Sequence, residues 1–340
     1  MLRKKLGMVV EGIDLDAEAM AEAVGAIMEG EASPVQVGAF LTALRLKGES
    51  EEEIAGAAMA LRARCVRLPG DAFADAIDTC GTGGDGAGTV NVSTLAAITA
   101  AGAGAKVAKH GNRSVSSLCG SADLLTALGV RIDLTPEASA RCLKEAGFAF
   151  LFAPLYHPAM KMVAPVRQEM GIRTLFNLIG PLCNPAGVRR QLMGVYSMEL
   201  VPTIAGVLRR LGCDRAMVVA SEDGLDEISV CAPTTVAHLH RDGTIQVQNF
   251  EPGDLGIAIH RPEALAGGKP EENAEISLEV LKGGQGPVRD AVAVNAAAAL
   301  VVAGLASDLE EGLGMAASSL DSGEALEVLE RVIRISTQEA

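Results

Sequence analysis

Ala76-Ile77-Asp78-Thr79-Cys80-Gly81-Thr82-Gly83-Gly84-Asp85-Gly86 is a short apolar strand that runs into a glycine-rich loop. Past Asn91-Val92-Ser93-Thr94 comes an alanine-rich run, Leu95 to Ala105, that reads as a helix. Strand, glycine loop and helix in that order make an α/β unit whose backbone N–H groups gather at a helix start. Glycine lets those groups approach phosphate oxygens with no Cβ in the way, and nearby hydroxyls add donors. The charge pattern agrees. Between Asp85 and Asp123 there is no acidic residue, although the formal net charge is -14, and Lys106, Lys109, His110 and Arg113 all fall inside that stretch. A basic, small-residue island in an acidic protein is an anion cradle suited to a phosphate-bearing substrate.

Two familiar phosphate motifs fail against it. Gly81-x-Gly83-x-x-Gly86 fits the dinucleotide fingerprint, but that motif needs a ribose-binding acid about 20 residues on, and the acid-free stretch covers the window. A P-loop needs Lys and Ser/Thr directly after its last glycine, and Gly83 to Gly88 is followed by Thr89 with no lysine.

Taken together, Gly81 to Asp85 (GTGGD), Asn91 to Thr94 (NVST), Lys109 to Arg113 (KHGNR), Ser116-Ser117 and Gly120 to Asp123 (GSAD) closely resemble, in order and spacing, the anthranilate phosphoribosyltransferase family. The resemblance continues through His157 to Met160, Pro165 to Arg167, Gly171 to Asn177, Gly180-Pro181-Leu182, Asn184-Pro185 and the acidic run Asp223 to Glu227. Cys119 departs from it, standing where many members have serine.

The resemblance implies a fold shared with pyrimidine nucleoside phosphorylases: a small helical domain plus a large α/β domain with the active site between them. It implies transfer of the phosphoribosyl group from phosphoribosyl pyrophosphate (PRPP) to the amine of anthranilate, with pyrophosphate expelled, in tryptophan biosynthesis. Gly81, Gly84, Asp85, Thr89, Asn91, Val92, Ser93, Thr94, Lys109, His110, Gly111, Asn112, Arg113, Ser114, Val115, Ser116, Ser117 and Ser121 are the implied PRPP positions. Gly81, Asn112, His157 and Arg167 are implied for anthranilate, Lys109 and His110 as catalytic candidates, and Ser93, Asp226 and Glu227 as Mg²⁺ ligands. A homodimer is implied as well.

The residues have readings of their own. Asp226-Glu227 offers hard carboxylate oxygens that suit Mg²⁺, while an arbitrary adjacent pair is a solvated turn. Ser93 alone reads as an N-cap. Lys109 alone is a surface cation, and Arg167 is a guanidinium fork for a carboxylate, with Glu145 or Glu169 as structural partners. His110 and His157 are equally readable as structural histidines.

Composition narrows the function classes. At 340 residues and 49% hydrophobic content the chain can bury a large core, and its length suggests about two domains. It has no long apolar run or leader-like start, so a cytoplasmic globular protein is expected, with no membrane association. The seven cysteines, Cys65, Cys80, Cys119, Cys142, Cys183, Cys213 and Cys231, are scattered, odd in number and never in a C-x-x-C pair. Neither a disulfide framework nor structural zinc is expected. An acidic total argues against nucleic-acid binding, and so against a non-catalytic nucleic-acid-binding relative. The KHGNR run disfavours a pyrimidine nucleoside phosphorylase.

Residues 1–72 read as helical. Asp14 or Asp16 caps a helix to about Met28, Ser33-Pro34 starts one that Gly48 stops, and Ser50 with Glu53 forms a capping box for one to about Val66. The boundary falls at Leu68-Pro69-Gly70, giving 1–72 as the small domain, rejoined by a segment near 165–185, and 73–340 as the large one. In the latter, Lys106 to Ala108, Phe148 to Phe152 and Ala216 to Ala220 read as strands, and Ala122 to Leu128 and Val201 to Leu211 as helices. Asp242-Gly243 is a hairpin turn between Thr235 to His240 and Thr244 to Gln248, so the sheet is expected to be mixed. Helices dominate again from about Val288.

Overall fold

The computed structural model describes residues 2–70, 73, 75–84, 86, 88–114 and 118–338. Its first part is helical: α1 (Leu2–Val10), α2 (Ala17–Met28), α3 (Pro34–Lys47) and α4 (Glu51–Ala63). Asp16, not Asp14, caps α2 by accepting from Ala19 N at 2.7 Å, while Asp14 pairs with Lys47. Ser33 with Gln36 and Ser50 with Glu53 form capping boxes. Glu53 is fully buried because every side of its carboxylate is used: it accepts from Leu15 N (3.1 Å) and Ser50 N (2.9 Å) and pairs with Lys47 Nζ (2.8 Å). Helix α4 stops short of Val66, whose N–H donates instead to Tyr156 O at 2.9 Å. Helix α1 carries no sequence signal, since its Arg3-Lys4-Lys5 run looks solvated. Lys5 is in fact buried, its ammonium on Ala19 O and Glu22.

The α/β part follows as β1 (Ile77–Asp78), α5 (Val92–Gly102), β2 (Val107–Gly111), α6 (Ser121–Ala127), α7 (Pro136–Ala146) and β3 (Phe148–Phe152). The chain then makes the short helices α8 (Ala153–Tyr156), α9 (Ala164–Met170) and α10 (Leu175–Ile179). It re-enters the sheet with β4 (Arg190–Gly194), α11 (Leu200–Arg210), β5 (Arg215–Ser221), β6 (Thr234–Leu239) and β7 (Ile245–Phe250). It ends in α12 (Pro270–Leu281), α13 (Pro287–Ala303), α14 (Leu309–Asp321) and α15 (Glu324–Gln338). Among the described residues one seven-stranded sheet forms, in the order β3-β2-β1-β4-β5-β6-β7. Strands β3 to β5 of that order run parallel and β6 and β7 antiparallel, joined by the Asp242-Gly243 turn with Gly243 at φ 86.

Strand alternation divides the core in two. Leu192, Met217, Val219 and Val236 face a cluster built with α5, α13 and α15; Met193, Val218, Ala220 and Ala237 face one built with α11 and the N-terminal helices. Val163, Leu175, Phe176, Leu178, Ile179, Leu182 and Cys183 belong to that second cluster, so the stretch between β3 and β4 packs against α3 and α4. Alanine along α13 lets its backbone approach α5, and both helices are almost wholly buried.

Candidate active site

Sheet order reverses at β1, which lies between β2 and β4, and open α/β sheets leave a crevice at the carboxyl ends of the strands there. A cleft of about 580 Å³ occupies that place. Its walls include Gly81, Gly84, Thr89, Asn91, Ser93, Thr94, Lys109, His110, Gly111, Asn112, Arg113, Ser114, Ser121, His157, Arg167, Asp226 and Glu227. Nearly the whole described set read from the sequence thus converges. The exception is Val92, whose side chain is in the core. Asp85, Val115, Ser116 and Ser117 lie outside the described residues.

The glycine loop is held open by left-handed residues, Gly83 (φ 63), Gly84 (φ 73) and Gly86 (φ 74), that side chains rarely adopt. Gly81 is glycine for a different reason: a Cβ there would strike Asp226 Oδ2. That carboxylate accepts from Gly83 N at 2.7 Å, and Glu227 Oε1 accepts from Ser93 N at 2.9 Å. The sequence reading of Ser93 as an N-cap is corrected here. Asn91 occupies the cap position without a side-chain bond, Ser93 lies inside the first turn, and the cap function passes to Glu227 from the loop after β5. Ser93, Asp226 and Glu227 also border a cavity of about 20 Å³, room for one ion beside two carboxylates and a hydroxyl. Such an all-oxygen donor set fits Mg²⁺.

Lys109 is buried, and its ammonium donates to Thr79 O at 2.9 Å, tying β2 to the start of the glycine loop. It is therefore not a surface cation. Asp78 at the base of the loop accepts from His110 N (3.1 Å) and Asn184 Nδ2 (2.7 Å), and burial lifts its carboxyl to about 6 against those bonds. Asp123 orders the next loop by taking Gly120 N (3.0 Å), Ser114 N (3.2 Å) and Arg113 Nη1 (2.6 Å). Cys119 lines the cleft and packs its thiol on Asn91 Oδ1 at 3.3 Å.

On the other wall, His110 and His157 meet edge to face at 5.0 Å. Both are buried, and no ring nitrogen of either makes a hydrogen bond of good geometry. Burial, then the His157 ring, push His110 down to about 3; burial pushes His157 down to about 4. The nearby backbone of Gly180 and of Cys183 pulls the other way, and burial outweighs it. Both are therefore neutral near pH 7. Arg167 pairs with neither Glu145 nor Glu169; Glu145 sits 3.6 Å from Arg141. Arg167 has no carboxylate partner among the described residues, lies half-buried with its guanidinium 5.8 Å from the Phe176 ring, and is pushed down by burial. Lys161, Phe176 and Asn177 also line the cleft without having been singled out. Arg173 donates to Gly84 O and stacks 4.4 Å over Tyr196, bracing the glycine loop from the α9–α10 side.

The chain matches the glycosyl transferase family a/b domain over residues 74–326 and the family's helical bundle domain over residues 4–65. It is 53% identical to the anthranilate phosphoribosyltransferase of Thermomicrobium roseum, over 98% of this chain and 96% of that one. The Moorella thermoacetica enzyme of the same name is 52% identical, over 98% of each chain. The crystal structure of anthranilate phosphoribosyltransferase from Thermus thermophilus superposes with a TM-score of 0.92 at 44% identity, covering 98% of this chain and 99% of that one. The Saccharomyces cerevisiae enzyme in complex with PRPP and Mg gives 0.91 at 31%, covering 99% and 98%. This chain belongs to the anthranilate phosphoribosyltransferase family.

Proposed function

We propose that the chain transfers the phosphoribosyl group of PRPP to the anthranilate amine within this cleft, with the two substrates on opposite walls. PRPP lies on the glycine loop, the first turn of α5, and the 109–114 and Ser121 loops, where backbone N–H groups, hydroxyls and Arg113 face its phosphates. Anthranilate lies against His110, His157, Asn112 and Arg167, its carboxylate on the Arg167 fork. Asp226, Glu227 and Ser93 would hold Mg²⁺, and the chemistry it would supply is neutralisation of charge on the pyrophosphate leaving group.

An aromatic amine is neutral at pH 7, so this nucleophile needs placement more than deprotonation. Two neutral imidazoles suit such placement, because they wall off water and present ring nitrogens without setting a second positive charge beside the amine. The bond from the anomeric carbon to pyrophosphate breaks as the bond to nitrogen forms, and the loop donors meet the charge that develops on the leaving oxygens.

One observation carries this reading. The sheet brings Asp226 and Glu227 onto the backbone of a glycine loop and helix start more than a hundred residues earlier, joining acid pair and phosphate cradle in one site. The test is loss of anthranilate fluorescence with PRPP and Mg²⁺ each supplied and omitted. Turnover is expected only when both are present, and folded protein that leaves anthranilate untouched with both supplied overturns the reading. The same proposal includes a cytoplasmic homodimer, checkable by sedimentation, and division into a helical unit, 1–72 with 165–185, and an α/β unit, 73–340. No described helix is long and apolar enough to cross a membrane.

A further inference from the structure

We propose that a second pocket, where the chain leaves α4 and enters β4, binds a small phosphate-class anion. The pocket measures about 300 Å³, and Arg62, Arg67, Arg189, Asn184 and Gln191 line it with no Asp or Glu in the described lining. This chain carries a net charge of -14, so positive charge gathered around one concavity calls for a reason.

Arg62 and Arg189 are fixed by hydrogen bonds, and of the three guanidiniums only Arg189 pairs with a carboxylate among the described residues. Arg62 donates through Nε to Leu182 O (2.6 Å) and through Nη1 to Leu211 O (3.2 Å), and no carboxylate pairs with it among the described residues. Burial pushes its guanidinium down, and Arg67 acts in the same direction. Arg189 is fixed by Gly212 O (3.1 Å) and Asp214 (2.7 Å). Arg67 has no ion pair among the described residues and lies against Gly187, where an added Cβ would stand 3.1 Å from Nη1.

Like charges held together repel unless an anion sits among them, and a guanidinium fork offers paired N–H donors that match the spacing of phosphate oxygens. The carbonyl bonds of Arg62 and Arg189 hold those forks in place before any ligand arrives, which lowers the ordering cost of binding. A compact anion with several oxygens satisfies this arrangement, whether inorganic phosphate, pyrophosphate or the phosphate of a small sugar. The pocket is separate from the active cleft: Arg62, Arg67 and Arg189 do not line the cleft, although Pro181 on the cleft wall adjoins Leu182 on the pocket wall. Nothing in the pocket depends on the reaction proposed above.

The test is calorimetric titration of inorganic phosphate, at low ionic strength, into wild-type protein and Arg67→Ala, with Arg189→Gln as a second variant should the first fold poorly. Phosphate bound in the cleft is common to all, because Arg67 lies outside it. Loss of one binding event, or weakening of at least about tenfold, is expected in the variants, as for removal of a charge-assisted contact. Parallel titrations with pyrophosphate and ribose 5-phosphate identify which phosphate source the pocket prefers. Selenate soaked into crystals should appear among the three guanidiniums and vanish in Arg67→Ala. Superimposable isotherms for all proteins overturn the proposal. Selenate density in the pocket without any change in the isotherms means an adventitious ion only, and overturns it equally.

Discussion

Glu227 Oε1 accepts a hydrogen bond from the backbone nitrogen of Ser93 at 2.9 Å, so a side chain from the loop after β5 occupies the N-terminus of α5. That N–H is one of the donors a helix start leaves without an intrahelical partner, and the positive end of the helix lies there. Asp226 likewise accepts from a backbone nitrogen, that of Gly83 in the glycine loop. The carboxylates therefore sit on donors of the kind a phosphate uses.

Asp226→Asn combined with Glu227→Gln is expected to lower turnover and to move the Mg²⁺ dependence to higher concentration, with partial recovery at high Mg²⁺. Removing the charges weakens metal attraction with little change of size. Rate against Mg²⁺ concentration is the measurement; an unchanged midpoint means that the acids serve only as a structural cap.

Gly81→Ala tests why that glycine is there. The added methyl would strike Asp226 Oδ2, so Asp226 must leave Gly83 N. The variant is expected to fold, with Mg²⁺ dependence shifted as in the acid-pair variant. Wild-type metal dependence would show that the cleft absorbs the methyl without moving Asp226.

The buried histidines give a stability prediction with a definite sign. His110 and His157 are lowered to about 3 and about 4, below the unfolded value near 6.5, so the unfolded chain takes up protons first. Their contribution is complete above about pH 6.5 and is lost as pH falls toward those values. Asp78, raised to about 6, works in the opposite sense, its contribution fading as pH rises from about 4 to 6. Denaturant unfolding from pH 7 to 4.5 should show falling stability, with a shallower slope in His157→Gln. Equal slopes would place the acid sensitivity elsewhere.

The strand-loop-helix unit, the Ser50–Glu53 capping box and the Asp242-Gly243 hairpin were legible because each is fixed by residues close in sequence. Non-local facts were not. Nothing in Glu53 announces that Lys47 and Leu15 N will let a carboxylate be fully buried. The Ser93 reading failed because a local capping rule cannot see Glu227 arriving from across the sheet. The partners of Lys109 and of the histidine pair were not readable; that the first is tied to Thr79 O depends on β1 pairing with β2, and that the rings meet depends on β2 and the residue after α8 coming together in three dimensions. Of the cleft set, the ordered glycine and KHGNR segments were readable and their mutual geometry was not.

The last prediction separates the two walls of the cleft. Arg167 has no carboxylate partner among the described residues, so Arg167→Ala breaks no described ion pair and should leave the thermal midpoint nearly unchanged. It removes a charge-assisted fork from the anthranilate side, a loss of about 1.5 to 3 kcal/mol, so the anthranilate requirement should rise about ten- to a hundredfold while PRPP affinity holds. Gly84→Val should do the reverse. Gly84 sits at φ 73, where a branched side chain is strained, and Arg173 grips its carbonyl, so the loop must shift away from the phosphate path. Calorimetry of each variant with each ligand decides it: if Arg167→Ala binds PRPP as poorly as Gly84→Val does, the acceptor and phosphate sides are not separate, and the placement of anthranilate against Arg167 falls with them.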